Sequence, residues 1–179
     1  EMIAKKYSPD KFRMYDSLRD FASSATEVKK FKPDVIIDDY IQLITPSGKE
    51  DQRRLQLERI VNDYKWIAKE YKCSVILASQ LNRALETRGN QRPQLSDLAE
   101  SGAIEQVAEN VFFVFYPYKL DQKPENKHKM VLVAAKVRYG ETGNIAMAFD
   151  GDKCKIYNSE DELFASNMPK EVVTSDLPF

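Results

Sequence analysis

Apolar residues fall into two kinds of run along this chain. Val35 to Ile37, Val75 to Ala78, Val111 to Phe115 and Met130 to Ala135 are short and continuous, a pattern that predicts strands covered on both faces, as in parallel sheets. Leu57, Ile60, Val61, Tyr64, Ile67, Ala68 and Tyr71 instead recur at three- and four-residue steps, which predicts an amphipathic helix. A second helix is expected through Phe21, Ala25 and Val28, with Ser17 and Asp20 spaced as a capping box ahead of it. "FRMY" at 12–15 reads as a short strand, Pro33 marks the entry to "DVIID", and "TPSGKE" reads as a turn. "NIAMAF" and "CKIY" flank Asp150-Gly151 and predict a hairpin. Buried strands alternating with helices give an α/β fold with a doubly wound, mostly parallel sheet, finished by an antiparallel hairpin. Past Tyr157 the chain turns polar and acidic, so a domain is expected over 1–157 and a flexible tail over 158–179.

One stretch breaks this rhythm. Leu81 to Gln106 is long and polar, whereas a plain connection runs to about 4–6 residues. Such a segment is either a disordered lid or functional. Ala103, Ile104, Val107 and Ala108 near its end have helical spacing and predict a short packed helix. Phe112, Phe113, Phe115 and Tyr116 read as core, and His128 as a solvent-facing loop residue.

Composition narrows the class without naming it. With 179 residues, 42% hydrophobic and 31% charged, the chain suits one globular domain with a proper core. A net charge of -1 offers no global attraction to nucleic acid or to an anionic membrane, so any polyanion must be held by local geometry. No apolar run approaches the roughly 20 residues of a membrane span. Cys73 and Cys154 suit a reducing compartment, each as a small core filler, and with a single histidine they make no zinc site.

Candidate chemistry lies at the strand ends. In open α/β sheets, ligands bind beyond the carboxyl ends of the strands. Asp38 and Asp39, Ser79 and Gln80, and Lys136 and Arg138 all follow apolar runs at that position. A carboxylate that orients a hydrated cation, an amide, and cations that offset anionic charge are what a metal-bound phosphate requires.

Four strings carry a more specific signal: "DVIIDDYIQLI", "ILASQLNRALETR", "RPQLSDLAESGAIEQVAENVFFVFY" and "KVRYGETGNIAMAFDG". In that order, and collinearly from about Phe12 to Tyr157, they resemble the DnaB-like replicative DNA helicases. The resemblance implies a RecA-like ATPase domain, ATP and Mg²⁺ as cofactors, and a homo-hexameric ring around single-stranded DNA in a bacterial or phage-infected cytoplasm. Primase, a helicase loader and single-stranded-DNA-binding proteins become candidate partners. Carried over by position, Asp39 matches the acid that supports Mg²⁺ through water, and Gln80 the amide that senses the terminal phosphate. Lys136 and Arg138 match a basic pair offered to the neighbour's nucleotide, with Arg138 as the arginine finger. Asp38 stands where the family usually has an aliphatic residue, and by spacing alone either aspartate can take the metal role. The long polar segment matches a channel loop on the DNA backbone, with Glu100, Ser101 and Gly102 on the loop and Arg83 and Arg92 as further DNA-contact candidates. Ala99 departs from an arginine common in the family, and Arg83, Arg88 and Arg92 are the cations of the segment open to compensate for it.

A larger departure is that no GxxxxGK[ST] occurs; Ser47 to Glu50 lack both the first glycine and the hydroxyl. The expectation is therefore the second half of a motor core, weak in ATP binding by itself. The alternatives are a RecA/RadA-type recombinase or clock-type ATPase on the same fold, and a non-catalytic ring or DNA-binding module that lost its nucleotide loop. The terminal "TSDLPF" is similar to the tip of bacterial single-stranded-DNA-binding proteins, with a plain acidic tail as the simpler reading.

Overall fold

The computed structural model describes residues 8–18, 20–46, 52–89, 91–98 and 102–168. Two compact units result, one from residues 1–88 with 94–109 and the other from 89–93 with 110–179. Ser47 to Glu50, Ala99 to Ser101 and the terminal hexapeptide fall outside the described residues, so the readings placed on them do too.

In the first unit, helix α1 (Phe21–Phe31) opens on Asp20, whose carboxylate accepts from the Ser23 N–H at 2.8 Å. The cap is thus Asp20 and not the expected Ser17, because Asp20 is the residue in extended conformation directly ahead of the first helical turn. Lys32 ends the helix in the left-handed region, its N–H bonded to the Val28 carbonyl. Strand β1 (Val35–Asp38) pairs in parallel with β2 (Ser74–Leu77), from Val35 opposite Ser74 to Asp38 opposite Leu77. Helix α2 (Arg53–Glu70) is the crossover, with Leu57, Ile60, Val61, Tyr64 and Ile67 all buried, as the periodicity predicts. Val28, Ile67 and Cys73 form a core cluster that takes in Ile36 and Val75 from the inner face of the strands. Their other face is exposed at Ile37 (71%) and Ile76 (55%), so neither strand is covered on both sides as expected.

The described residues of the long polar segment are folded and do not form a disordered lid. It carries a helical turn α3 (Ala84–Thr87), a 3-10 turn at Leu95–Asp97 and helix α4 (Gly102–Val107), whose Ile104 is buried. Leu81 bridges Leu98, and the Asn82 N–H donates to the Asp97 carbonyl at 2.8 Å, drawing the two ends of the loop together.

The second unit is a four-stranded antiparallel sheet in the order β3 (Asn110–Phe115), β4 (Lys129–Val137), β5 (Gly143–Asp150), β6 (Lys155–Tyr157). Among the named strands only β1 and β2 pair in parallel, so the described residues carry one parallel and one antiparallel sheet with helices in place of the mostly parallel sheet expected from the apolar runs. Residues 138–142 and 151–154 are too short to carry a parallel crossover, which takes about a dozen residues. Burial alternates along β3: Phe113 is buried while Phe112 is 52% exposed, so Phe112 is not core. The hairpin at Asp150-Gly151 forms as read. Cys154 is exposed at that turn and is no core filler. His128 is half-buried against the Phe164 ring and the Phe149 carbonyl.

Two further expectations are corrected. "FRMY" forms no strand, and Phe12, Met14 and Tyr15 are exposed. The fold also continues past Tyr157. Ser159 caps helix α5 (Glu160–Asn167) by accepting from the Glu162 N–H, and Leu163 buries against Ala148 and Tyr157.

Candidate functional site

The carboxyl ends of β1 and β2 are stitched into one edge. The Asp38 carbonyl accepts from the Ala78 N–H and the Ile41 N–H donates to the Ala78 carbonyl, both at 2.9 Å. Asp39 and Tyr40 therefore form an arch pinned at both feet to a single residue of β2. Asp39 is exposed on that arch, and Gln80 is exposed two residues beyond Ala78. The structure brings these two predicted residues to the same sheet edge.

The two aspartates, inseparable by spacing, differ in surroundings. Asp38 is half-buried, and its carboxylate accepts a hydrogen bond from the hydroxyl of Tyr64. Tyr64 is 2% exposed on α2, with the Phe21 ring edge-on at 5.7 Å. Burial and then the Asp38 carboxylate push its phenol far above the ordinary tyrosine range, so Tyr64 stays a donor at any working pH. Tyr64→Phe leaves the half-buried Asp38 carboxylate short of a donor. The expected loss is about 1–3 kcal/mol of stability, read by urea unfolding.

Gln42 was not singled out from the sequence, although it lies in one of the matched strings. Its side chain donates to the Ser79 hydroxyl at 3.1 Å and accepts from the Gln80 N–H at 3.3 Å. Its own carbonyl accepts from Arg53 at 2.6 Å.

The loop candidates separate as well. Arg83 is exposed at the start of α3. Arg92 is exposed and donates to the Asn144 side chain within the second unit. Arg88 makes a two-pronged ion pair with the buried Asp97, both bonds 2.9 Å, and Asp97 also accepts from the Gln94 N–H at 2.8 Å. Arg88 is thus a structural cation of the loop. Gly102 is exposed, outside the left-handed region, and beyond its chain neighbours and its own helix backbone no described atom lies within 4 Å of where its Cβ would sit. The far end of α4 is tied to α2, where Lys65 reaches the Val107 carbonyl at 2.9 Å and Glu109 at 2.7 Å. A cation on the last carbonyls of a helix is favourably placed.

Lys136 and Arg138 belong to the second unit. Lys136 is half-buried within β4, opposite Val111. Arg138 is exposed just past the strand, its N–H bonded to Asn110 Oδ1 at 3.3 Å and its guanidinium 5.6 Å from the Tyr139 ring centre.

Among the described residues no helix is long and apolar enough to cross a membrane. The family model for the DnaB-like helicase C-terminal domain matches residues 11–158. The replicative DNA helicase DnaC of Bacillus subtilis (strain 168) is 38% identical over 136 residues, which are 75% of this chain and 30% of that protein. A solved ATPase domain superposes with a TM-score of 0.74 at 32% identity, covering 79% of this chain and 52% of that one. A DnaB-like replicative helicase, solved in a study of its interactions with primase, gives a TM-score of 0.66 at 36% identity over 72% of this chain and 32% of that one. The chain therefore spans about a third of the helicases it matches. The superpositions, the collinear identity and the family match lead to one statement: this chain belongs to the DnaB-like helicase C-terminal domain family.

Proposed function

We propose that this chain is the second half of the ATPase core of a replicative DNA helicase, acting as part of a ring that moves along single-stranded DNA. The observation that carries the reading is the stitched edge of β1 and β2, which has an exposed carboxylate residue, Asp39, and an exposed amide residue, Gln80, at the carboxyl ends of parallel strands. The donor set suits a nucleotide carrying Mg²⁺, because an exposed carboxylate holds the water shell of a hard cation and an amide meets a phosphate oxygen or the attacking water. Mg²⁺, when bound, neutralises charge that develops on the phosphates.

Asp39 is the residue for that task and Asp38 is not, since the Asp38 carboxylate is engaged by Tyr64 inside the fold. Arg138, exposed at the end of β4, serves as the cation given to a neighbouring copy's nucleotide, with Lys136 behind it. Among the described residues nothing crowds Gly102 into being glycine, which suits a main chain that approaches DNA phosphates closely, and Arg83 and Arg92 are exposed cations of the same segment. Two features support a half-core over an inactive module. The apolar positions Ile37 and Ile76 are exposed, and the chain spans 52% of the solved ATPase domain on which it superposes. The relative solved in a study of its interactions with primase makes primase the first partner to test.

The test uses the complete subunit that carries this segment. Asp39→Asn raises the Mg²⁺ concentration needed for half-maximal rate and lowers turnover by roughly 10–100-fold, the usual cost of losing a group that orients a metal's water shell. Asp38→Asn keeps turnover within a few-fold. The reverse ranking, read from Mg²⁺ titrations of ATPase rate, would assign the metal to Asp38 and refute this assignment.

A further inference from the structure

We infer that Gln42 is a positioning residue for the Gln80 amide, a clamp that fixes how the end of β2 is presented at the edge it shares with β1. The inference rests on the reading of Gln80 given above and extends it to a residue with no assigned role. Three bonds define the clamp. The Gln42 side chain spans to β2 with both of its polar atoms, donating to Ser79 Oγ at 3.1 Å and accepting from the Gln80 N–H at 3.3 Å. Its main-chain carbonyl is gripped by Arg53 Nη2 at 2.6 Å, while Arg53 Nη1 bonds Gln56 Oε1 at 3.0 Å.

Among the described residues the ladder between β1 and β2 ends at Ala78, so its main-chain bonds cease where Ser79 and Gln80 begin. Beyond that point Gln42 supplies the bonds that a further ladder pair would have made. Arg53 points the same way. It is the first residue of α2, in a first turn with no acidic residue, where the helix dipole disfavours a cation. A cation kept there is explained by its grip on the Gln42 carbonyl. The chain Arg53, Gln42, Gln80 thus ties the start of α2 to the strand end that carries the amide.

Without the clamp, the Gln80 N–H loses its acceptor on the neighbouring segment and the side chain samples more orientations, so the amide meets its target less often. In the complete subunit, Gln42→Ala is expected to lower kcat roughly 10-fold, the rate equivalent of one or two lost hydrogen bonds, with KM for ATP changed far less. Hydrogen exchange supplies a readout independent of turnover. The Gln80 amide should exchange about 10-fold faster in Gln42→Ala, while amides of the α2 core around Ile60 keep their protection. Gln42→Glu retains an acceptor for the Gln80 N–H, and the Ser79 hydroxyl can donate to it, so protection returns. In a Gln80→Ala background, Gln42→Ala should cost nothing more, because the two act as one unit.

Unchanged Gln80 protection in Gln42→Ala overturns the inference, and so does an undiminished effect of Gln42→Ala in the Gln80→Ala background. If Gln80→Ala slows turnover but Gln42→Ala does not, the clamp fails alone. If Gln80→Ala itself turns over normally, the reading of Gln80 fails and the inference falls with it.

Discussion

Arg138→Ala in the complete subunit should lower DNA-stimulated ATP turnover by about 10³–10⁵-fold, the range that an arginine supplied to a neighbour's phosphates contributes in other nucleotide hydrolases. Nucleotide affinity should change by no more than a few-fold, because the guanidinium acts on charge that develops during transfer. The geometry favours a cation with a fixed base and a long exposed stem. The Arg138 main chain is bonded to Asn110, its side chain is exposed, and the neighbouring Tyr139 ring makes a cation–π contact at 5.6 Å. Such a contact at an exposed site contributes about 0.5–1 kcal/mol, small enough to be exchanged for a phosphate.

Arg138→Lys keeps the charge and loses the planar fork, so a partial loss is expected. Mixing separates action in trans from action within one subunit. Rings assembled from Arg138→Ala and Asp39→Asn subunits together should turn over faster than rings of either mutant alone, because interfaces form in which an intact Asp39 meets a neighbour's intact Arg138. No recovery on mixing would refute donation to a neighbour, and wild-type rates in the pure Arg138→Ala ring would refute the finger role altogether.

The legible parts of this sequence are those whose signal is local. All five buried residues of α2 fall on the three- and four-residue steps that announce it, and the Asp150-Gly151 pair announces the hairpin. Strand direction was not legible. A continuous apolar run such as "NVFFVF" reads as buried on both faces, yet in the antiparallel sheet Phe112 and Val114 are exposed while Val111 and Phe113 are buried. Helix α5 was missed because only Leu163 and Phe164 are large and apolar among its eight residues, but Ser159 with Glu162 at capping distance was there to be read.

The site divides in the same way. Asp39, Gln80 and Arg138 could be found as polar residues after apolar runs. Their supports could not, since each joins residues far apart in the chain. Spacing leaves Asp38 and Asp39 equivalent, and in the fold it is Tyr64, 26 positions from Asp38, that engages one of them. Gln42 reaches Gln80 across 38 positions, and Lys65 holds Val107 across 42.

Arg88→Met should loosen the polar segment by about 3 kcal/mol, toward the lower end of what breaking a buried ion pair costs, since Arg88 keeps 32% of its side chain in water. The cost arises at Asp97. Its side chain is 8% exposed, and losing both guanidinium bonds leaves a buried carboxylate short of donors, with the Gln94 N–H as one remaining partner. Methionine keeps the length and apolar stem of arginine, so the loss reports the ion pair and not a cavity. Arg88→Lys retains a point charge without the fork and should fall between the two. The Asn82 amide is the reporter, because it donates to the Asp97 carbonyl where the two ends of the segment meet. Its hydrogen exchange should rise on the order of 10²-fold in Arg88→Met. Affinity for single-stranded DNA in the complete subunit should fall as well, with little change in its salt dependence, because Arg88 orders the loop and does not itself neutralise a phosphate. A salt slope reduced by about one would mean that Arg88 touches DNA directly, and unchanged Asn82 exchange would mean that the loop is held by something other than this pair.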